Sequence, residues 1–238
     1  MSTTNDRPAI APTALDHVAL WVAGRDALAA FLCDHLGMHE IDRTDRFTLV
    51  GSDARRGKIT LFDANGPREQ GALARVVLRV NDLAAAVDLV PGDAVTSRDD
   101  DVVAIEGPEG LGLGLTQAAE GVETVDYDID HVVLRVPDAE RASRLFAKLG
   151  LKPSGDRLVV GDKHVRVEGG GSGEPERPLL NHIALLVDSA DAIHDEARRR
   201  GIEVADYVDA ENTLAVFLIG PDGIKLEYVE HKPSFSLV

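Results

Sequence analysis

The sequence predicts an α+β protein of four βαβββ units, paired into two domains, each a curled mixed sheet with helices outside. Three observations predict it. The stretches DHVALWV (16–22), DHVVLRV (130–136) and NHIALLV (181–187) are near copies of one another, and LARVVLRV (73–80) shares their form. Their anchor residues His17, Arg75, His131 and His182 stand 58, 56 and 51 residues apart, a loose internal period. Each is followed by a helix pattern, then by short alternating runs broken by Gly, Pro or Asp, the signature of strands and turns.

The elements follow in order. In the first unit, GRDALAAFLCDHLG ends its helix at Gly37, and RFTLVG and KITLFDA are the return strands. The second has a shorter helix signal, NDLAAAVDLVPG, before DVVAIEG and LGLGLTQ. In the third, Asp138 is the N-cap of PDAERASRLFAKLG and Gly150 its stop, with DRLVVG and KHVRVEG following. The fourth has Asp188 or Ser189 as cap and Gly201 as stop, then LAVFLIG and IKLEYVE. The polar stretch TQAAEGVETVDYD (116–128) is the best linker. This organisation predicts a disordered tail over 1–13, an N-terminal domain over 14–120 and a C-terminal domain over 121–238, each built from two consecutive units.

Composition bounds the function. Hydrophobic residues make up 44% of the 238, enough for a real core, and no apolar run approaches the roughly 18 residues of a membrane span. The beginning of the chain is polar, without the apolar core of a signal peptide. Cys33 is the single cysteine, so no internal disulfide can form and a cytoplasmic location is expected. With 41 acidic against 25 basic residues the net charge is −16, which argues against nucleic acid or an anionic membrane as partner.

Strand side chains alternate between faces. In 130–136, Val132, Leu134 and Val136 pack under the helix and His131 faces away. In 181–187, Ile183, Leu185 and Val187 pack and His182 faces away. In 224–230, Ile224, Leu226 and Tyr228 pack and Glu227 faces away. His131, His182 and Glu227 therefore share a parity, and curled sheets would point all three into one cup. Two imidazoles and a carboxylate with open positions form the facial set of non-heme Fe(II) oxygenases, and Mn, Co, Ni or Zn also suit such donors.

The first two units act as an internal control. Position 227 aligns with Phe62 in unit one and with Gly114 in unit two, whose anchor is Arg75. The N-terminal pair is thus expected to be metal-free, with His17 a structural or degenerate copy. His35, His39, His194 and His231 fall on helix or tail segments with no specific role.

These units resemble the βαβββ modules of the vicinal oxygen chelate superfamily, which includes glyoxalase I, fosfomycin and bleomycin resistance proteins and type I extradiol ring-cleaving dioxygenases. The resemblance runs from about Leu15 to Glu230 and is greatest to the two-domain extradiol enzymes. There the metal ligands come from positions matching His131, His182 and Glu227, and Pro221-x-Gly223-x3-Glu227 matches the end of their signature. The resemblance implies Fe(II), O2 and a catechol-like aromatic substrate, hence a role in aromatic catabolism. It implies a histidine base near the metal, for which His164 is the candidate. It also departs: Phe217 stands where that signature has Tyr, and 209–215 has no His.

The leading expectation is therefore an extradiol-type dioxygenase, with Arg135, Arg166, Asn212 and Phe217 as substrate contacts. A second is an O2-independent, glyoxalase-like lyase or isomerase using Mn, Co, Ni or Zn, for which Glu168 is the candidate fourth ligand. A third is a binding protein that sequesters an antibiotic or other small molecule. Module faces of this type often pair between chains, so a homo-oligomer is a further expectation.

Overall fold

A computed structural model describes residues 10–99, 101–120, 125–173 and 175–237. Every unit follows the expected order. The first comprises β1 (Ala14–Val22), α1 (Arg25–His35), β2 (His39–Arg43), β3 (Phe47–Gly51) and β4 (Lys58–Asp63). The second comprises β5 (Leu73–Val80), α2 (Leu83–Asp88), β6 (Val95–Arg98), β7 (Val103–Glu106) and β8 (Gly112–Gln117). The third comprises β9 (Asp128–Arg135), α3 (Ala139–Lys148), β10 (Lys152–Ser154), β11 (Arg157–Val160) and β12 (Lys163–Glu168). The fourth comprises β13 (Leu180–Leu186), α4 (Ala190–Arg200), β14 (Val204–Asp209), β15 (Thr213–Ile219) and β16 (Lys225–His231). Among the described residues no helix is long and apolar enough to cross a membrane.

The helix ends obey the local chemistry. The Asp138 side chain accepts from Arg141 N–H at 2.9 Å, and Ser189 Oγ from Ala192 N–H at 3.2 Å, so each cap satisfies a donor that the helix leaves free. Gly201 closes α4 at φ 68°, a left-handed conformation that costs a residue with a Cβ far more than glycine.

The pairing of units differs from the sequence expectation. One eight-stranded sheet runs β14-β15-β16-β13-β1-β4-β3-β2, and the other β10-β11-β12-β9-β5-β8-β7-β6. Unit one joins unit four through antiparallel β1 and β13, and unit two joins unit three through antiparallel β5 and β9. A division into 14–120 and 121–238 therefore cuts both sheets. The reason lies in the connections. The chain leaves the first sheet after β4, builds the second sheet from two successive units, and returns before β13. The outgoing and returning segments run side by side, with Glu69 N–H donating to Arg177 C=O and Leu179 N–H to Glu69 C=O. The start of the chain is also more ordered than expected. Residues 1–9 lie outside the described residues, but Ile10 is buried and Thr13 N–H bonds Leu186 C=O at 2.8 Å. Of the linker, residues 121–124 lie outside the described residues.

The faces behave as the alternation predicts. Val132, Leu134, Val136, Ile183, Leu185, Val187, Ile224, Leu226 and Tyr228 all enter one continuous apolar core with Leu28 and Leu32 of α1 and Phe146 of α3. Burial of this apolar surface is the main favourable term in folding. Tyr228 carries its hydroxyl into that core and donates to Leu149 C=O at 2.6 Å, linking β16 to the end of α3. The opposite faces, free of helices, are left to form two cups.

Candidate metal centre

Bulges at the two sheet junctions prepare each cup. In β1 the register jumps from Leu15↔Leu185 to His17↔Ala184, and in β13 from Leu180↔Leu20 to His182↔Ala19. Asp16 and Asn181 are the extra residues. In the second sheet, Ala74 and Asp130 occupy the same places before Arg75 and His131. Strict alternation sends neighbouring side chains to opposite faces, but a bulge sets two residues against one and re-aims them. Each bulged acid or amide thus reaches its neighbour's ring: Asp16 Oδ2 lies 2.8 Å from His17 Nδ1, Asn181 Oδ1 3.1 Å from His182 Nδ1, and Asp130 Oδ2 2.7 Å from His131 Nδ1. These oxygens are acceptors, so each Nδ1 is the donor, which leaves the Nε2 of a neutral ring to hold a cation.

In the first cup three of these donors converge. His17 Nε2 and His182 Nε2 are 3.2 Å apart, and Glu227 Oε2 lies 3.2 Å from the first and 2.8 Å from the second. Three donors each roughly 2.1 Å from an ion, at right angles about it, stand roughly 3.0 Å from one another. The triangle therefore has the dimensions of one face of an octahedron. Three such atoms are held this close by a positive charge among them, either a proton on His17 or a bound cation. Burial works against a charged imidazole at His17, yet the hydrogen bonds with Asp16 and Glu227 raise it to about 9. Burial, only partly opposed by Glu227, holds His182 below its ordinary value. Burial also opposes the Glu227 carboxylate, but His182 and His17 outweigh it and hold Glu227 well below the carboxylate range. The donor set fits a divalent cation.

A buried charge network supports it. Lys58 Nζ and His231 Nε2 reach Asp16 at 2.8 and 3.2 Å, so the acid that orients His17 is itself fixed. Burial penalises the Asp16 charge, but Lys58 and then His17 keep its pKa well below the usual range. The cup encloses about 390 Å³, walled by Phe47, Leu49, Phe62, Val208 and Phe217.

Two predicted ligands thus meet, and the third is replaced. His182 and Glu227 join His17, whereas His131 lies in the other sheet, because unit four pairs with unit one. His17, expected to be a structural or degenerate copy, stands with His182 and Glu227 instead. The offset of the control was also wrong by two residues: the ladders match Glu227 to Ala184 and Thr60 to Ala19, so Thr60, not Phe62, is the counterpart of Glu227. In unit two the counterpart is Gly114, as expected, across from Val77. His164 stacks on His131 with ring centroids 4.4 Å apart, and burial, then His131, push it down to about 4. Arg135, Arg166 and Glu168 line that second cup, so Glu168 cannot complete the first. Asn212 and Phe217 do line the first cup, and Phe217 packs edge-on against His182 with centroids 5.2 Å apart. Sequence reasoning missed Asp16, Lys58, Thr60 and His231. The Asp-His dipeptide at 16–17 was the available signal, but 130–131 repeats it.

The profile of the Glyoxalase/Bleomycin resistance protein/Dioxygenase superfamily matches residues 14–97 and 128–228, most of all four units. The chain belongs to this superfamily. Solved structures agree with the superfamily fold. A "putative dioxygenase" from Bacillus subtilis subsp. subtilis str. 168 superposes with a TM-score of 0.76 at 16% identity, covering 94% of this chain and 87% of that one. Glyoxalase I from Zea mays superposes with a TM-score of 0.68 at 18% identity, covering 91% and 92%. A search of curated proteins finds no significant relative by sequence. Within the superfamily fold, then, this chain carries a three-donor face in one cup and a different residue set in the other.

Proposed function

We propose that the protein is a metal-dependent, extradiol-type dioxygenase acting on an aromatic diol in the cup between β1, β4, β13 and β16. One observation carries this reading: the cup offers three converging donors and puts Thr60 where a fourth strand could have supplied a carboxylate. His17, His182 and Glu227 would hold the ion and leave its remaining positions to substrate and O2. Fe(II) is the ion that suits this set and purpose, and it would supply redox coupling between the diol and O2.

The chain's own residues do the rest. Asp16 and Asn181 lock the tautomers of His17 and His182 and aim their Nε2 atoms. Phe62 and Phe217 flank His182 and give an aromatic ring an apolar seat. His231, rather than His164, is the proton acceptor, since it lines this cup and His164 does not.

The test is anaerobic reconstitution with Fe(II), followed by an oxygen electrode and a panel of catechols. Substrate-dependent O2 uptake that needs Fe(II) is expected. Turnover without O2 under Mn, Co, Ni or Zn would overturn the reading in favour of glyoxalase-like chemistry. Saturable binding of a small molecule without turnover would point to sequestration.

A further inference from the structure

We propose that the second cup, between β5, β8, β9 and β12, is a binding site for a small anion bearing a phosphate or carboxylate group. The two cups are internal copies, so their side chains can be compared place by place through the strand ladders. The anchors His17 and His182 of the first correspond to Arg75 and His131 of the second, each following a bulged residue. The position two residues beyond each anchor faces Thr60 and Glu227 in the first cup, and Gly114 and Arg166 in the second. Where one cup has two imidazoles and a carboxylate, the other has one imidazole and two guanidiniums. At these four places donors for a cation give way to donors for an anion, although Asp130, His131 and His164 also stand close enough together to hold an ion.

Three further features support it. Arg75 is partly buried, and among the described residues no hydrogen bond or ion pair engages its guanidinium, a costly state in the absence of a counter-charge. A Cβ at Gly114 would stand 3.0 Å from Arg75 Cδ, so the glycine makes room for the arginine to lie across β8. The cup encloses about 450 Å³ and holds Arg75, Arg135 and Arg166 against the acids Glu106 and Glu168. Glu168 sits between Arg135 at 3.4 Å and Arg166 at 3.6 Å, and Arg166 also lies 3.9 Å from Asp156. With Arg135 and Arg166 already set against Glu168 and Asp156, Arg75 is the cation that an anion entering this cup would meet, on a chain of net charge −16. Guanidiniums are suited to hold phosphate or carboxylate through two parallel hydrogen bonds.

The experiment is calorimetric titration of metal-stripped full-length protein with inorganic phosphate and, in parallel, malonate. Saturable binding of at least one is expected, and which one binds separates phosphate from carboxylate chemistry. Arg75→Gln and Arg166→Gln should each weaken it tenfold or more, while His182→Ala leaves it unchanged. Absence of binding, indifference to both arginine substitutions, or loss in His182→Ala would overturn the proposal. Should an arginine variant fail to fold, the imidazole signals of the intact protein decide: on titration the His131 resonances should move and those of His182 should not, and the reverse overturns it.

Discussion

His17 and His182 face each other across the antiparallel junction of β1 and β13 with their Nε2 atoms 3.2 Å apart, although 165 residues separate them in sequence. Each Nδ1 is held by a bulged neighbour, so both Nε2 atoms are aimed at one point beside Glu227. Together with Glu227 they form a seat that takes a proton or a metal ion. His17→Ala, His182→Ala and Glu227→Ala should therefore each fold and lose bound metal, with activity falling by at least a hundredfold, whereas His131→Ala keeps the metal. Elemental analysis of the four variants checks this. Full metal content in His17→Ala would remove the centre described above.

Asp16 acts one step back from the ion. It fixes the His17 ring and is fixed in turn by Lys58 and His231. Groups that orient a metal-bound histidine typically affect metal affinity about 10–100-fold. Asp16→Asn keeps the size and an acceptor but removes the charge, so it should weaken metal binding by about tenfold, and Asp16→Ala by more. Competition with a chelator of known affinity measures both, and unchanged affinity in Asp16→Ala would mean that His17 is held by packing alone.

Much of this fold was legible in the sequence, because face and order are local properties. Alternation put Ile183, Leu185 and Leu226 in the core and His182 and Glu227 outside it. The caps at Asp138 and Ser189 came from side-chain chemistry three residues away. What was not legible is non-local. The anchor strands of units one and three both begin Asp-His, so their side chains present the same pattern to either partner. The crossover segments around Glu69 and Leu179 accompany that choice, and they meet mainly through backbone hydrogen bonds, with one from the Arg177 side chain to Asn65 C=O, a thin side-chain signature. The same holds for Thr60: its place opposite Ala19 is a matter of ladder register, which the apolar pattern of ITLFDA against IKLEYVE does not carry.

The second sheet is tied to the first by a buried ionic cluster that the metal does not touch. Asp128, wholly buried at the start of β9, accepts from Arg79 at 2.6 Å, from Lys163 at 2.7 Å and from Gly57 N–H at 2.9 Å. Gly57 belongs to the first sheet's unit, and Lys163 Nζ also reaches Leu15 C=O. Arg79 keeps Asp162 at 2.5 Å, but without Asp128 the buried Lys163 loses its carboxylate, a loss of about 3–5 kcal/mol for such a group. Asp128→Ala should lose stability on that scale in urea unfolding, without loss of the metal triangle in the protein that remains folded. A change below about 1 kcal/mol would mean that water reaches Arg79 and Lys163 and screens them.

The end of α4 provides a pH-dependent contribution far from either cup. Hydrogen bonds from Arg199 come first and outweigh burial, and with those from Arg200 they lower Glu196 from 4.5 to about 2. A carboxyl group depressed on folding binds fewer protons in the folded than in the unfolded chain, so stability rises with pH across that window. The contribution is fully present above the ordinary value of 4.5 and is lost as the pH falls toward about 2. Glu196→Gln should accordingly lower the melting temperature at pH 7, and the gap to the unsubstituted protein should close as melts are repeated from pH 4.5 down to pH 2.5. A gap that stays constant over that range would show that Glu196 stabilises α4 by packing rather than by its charge.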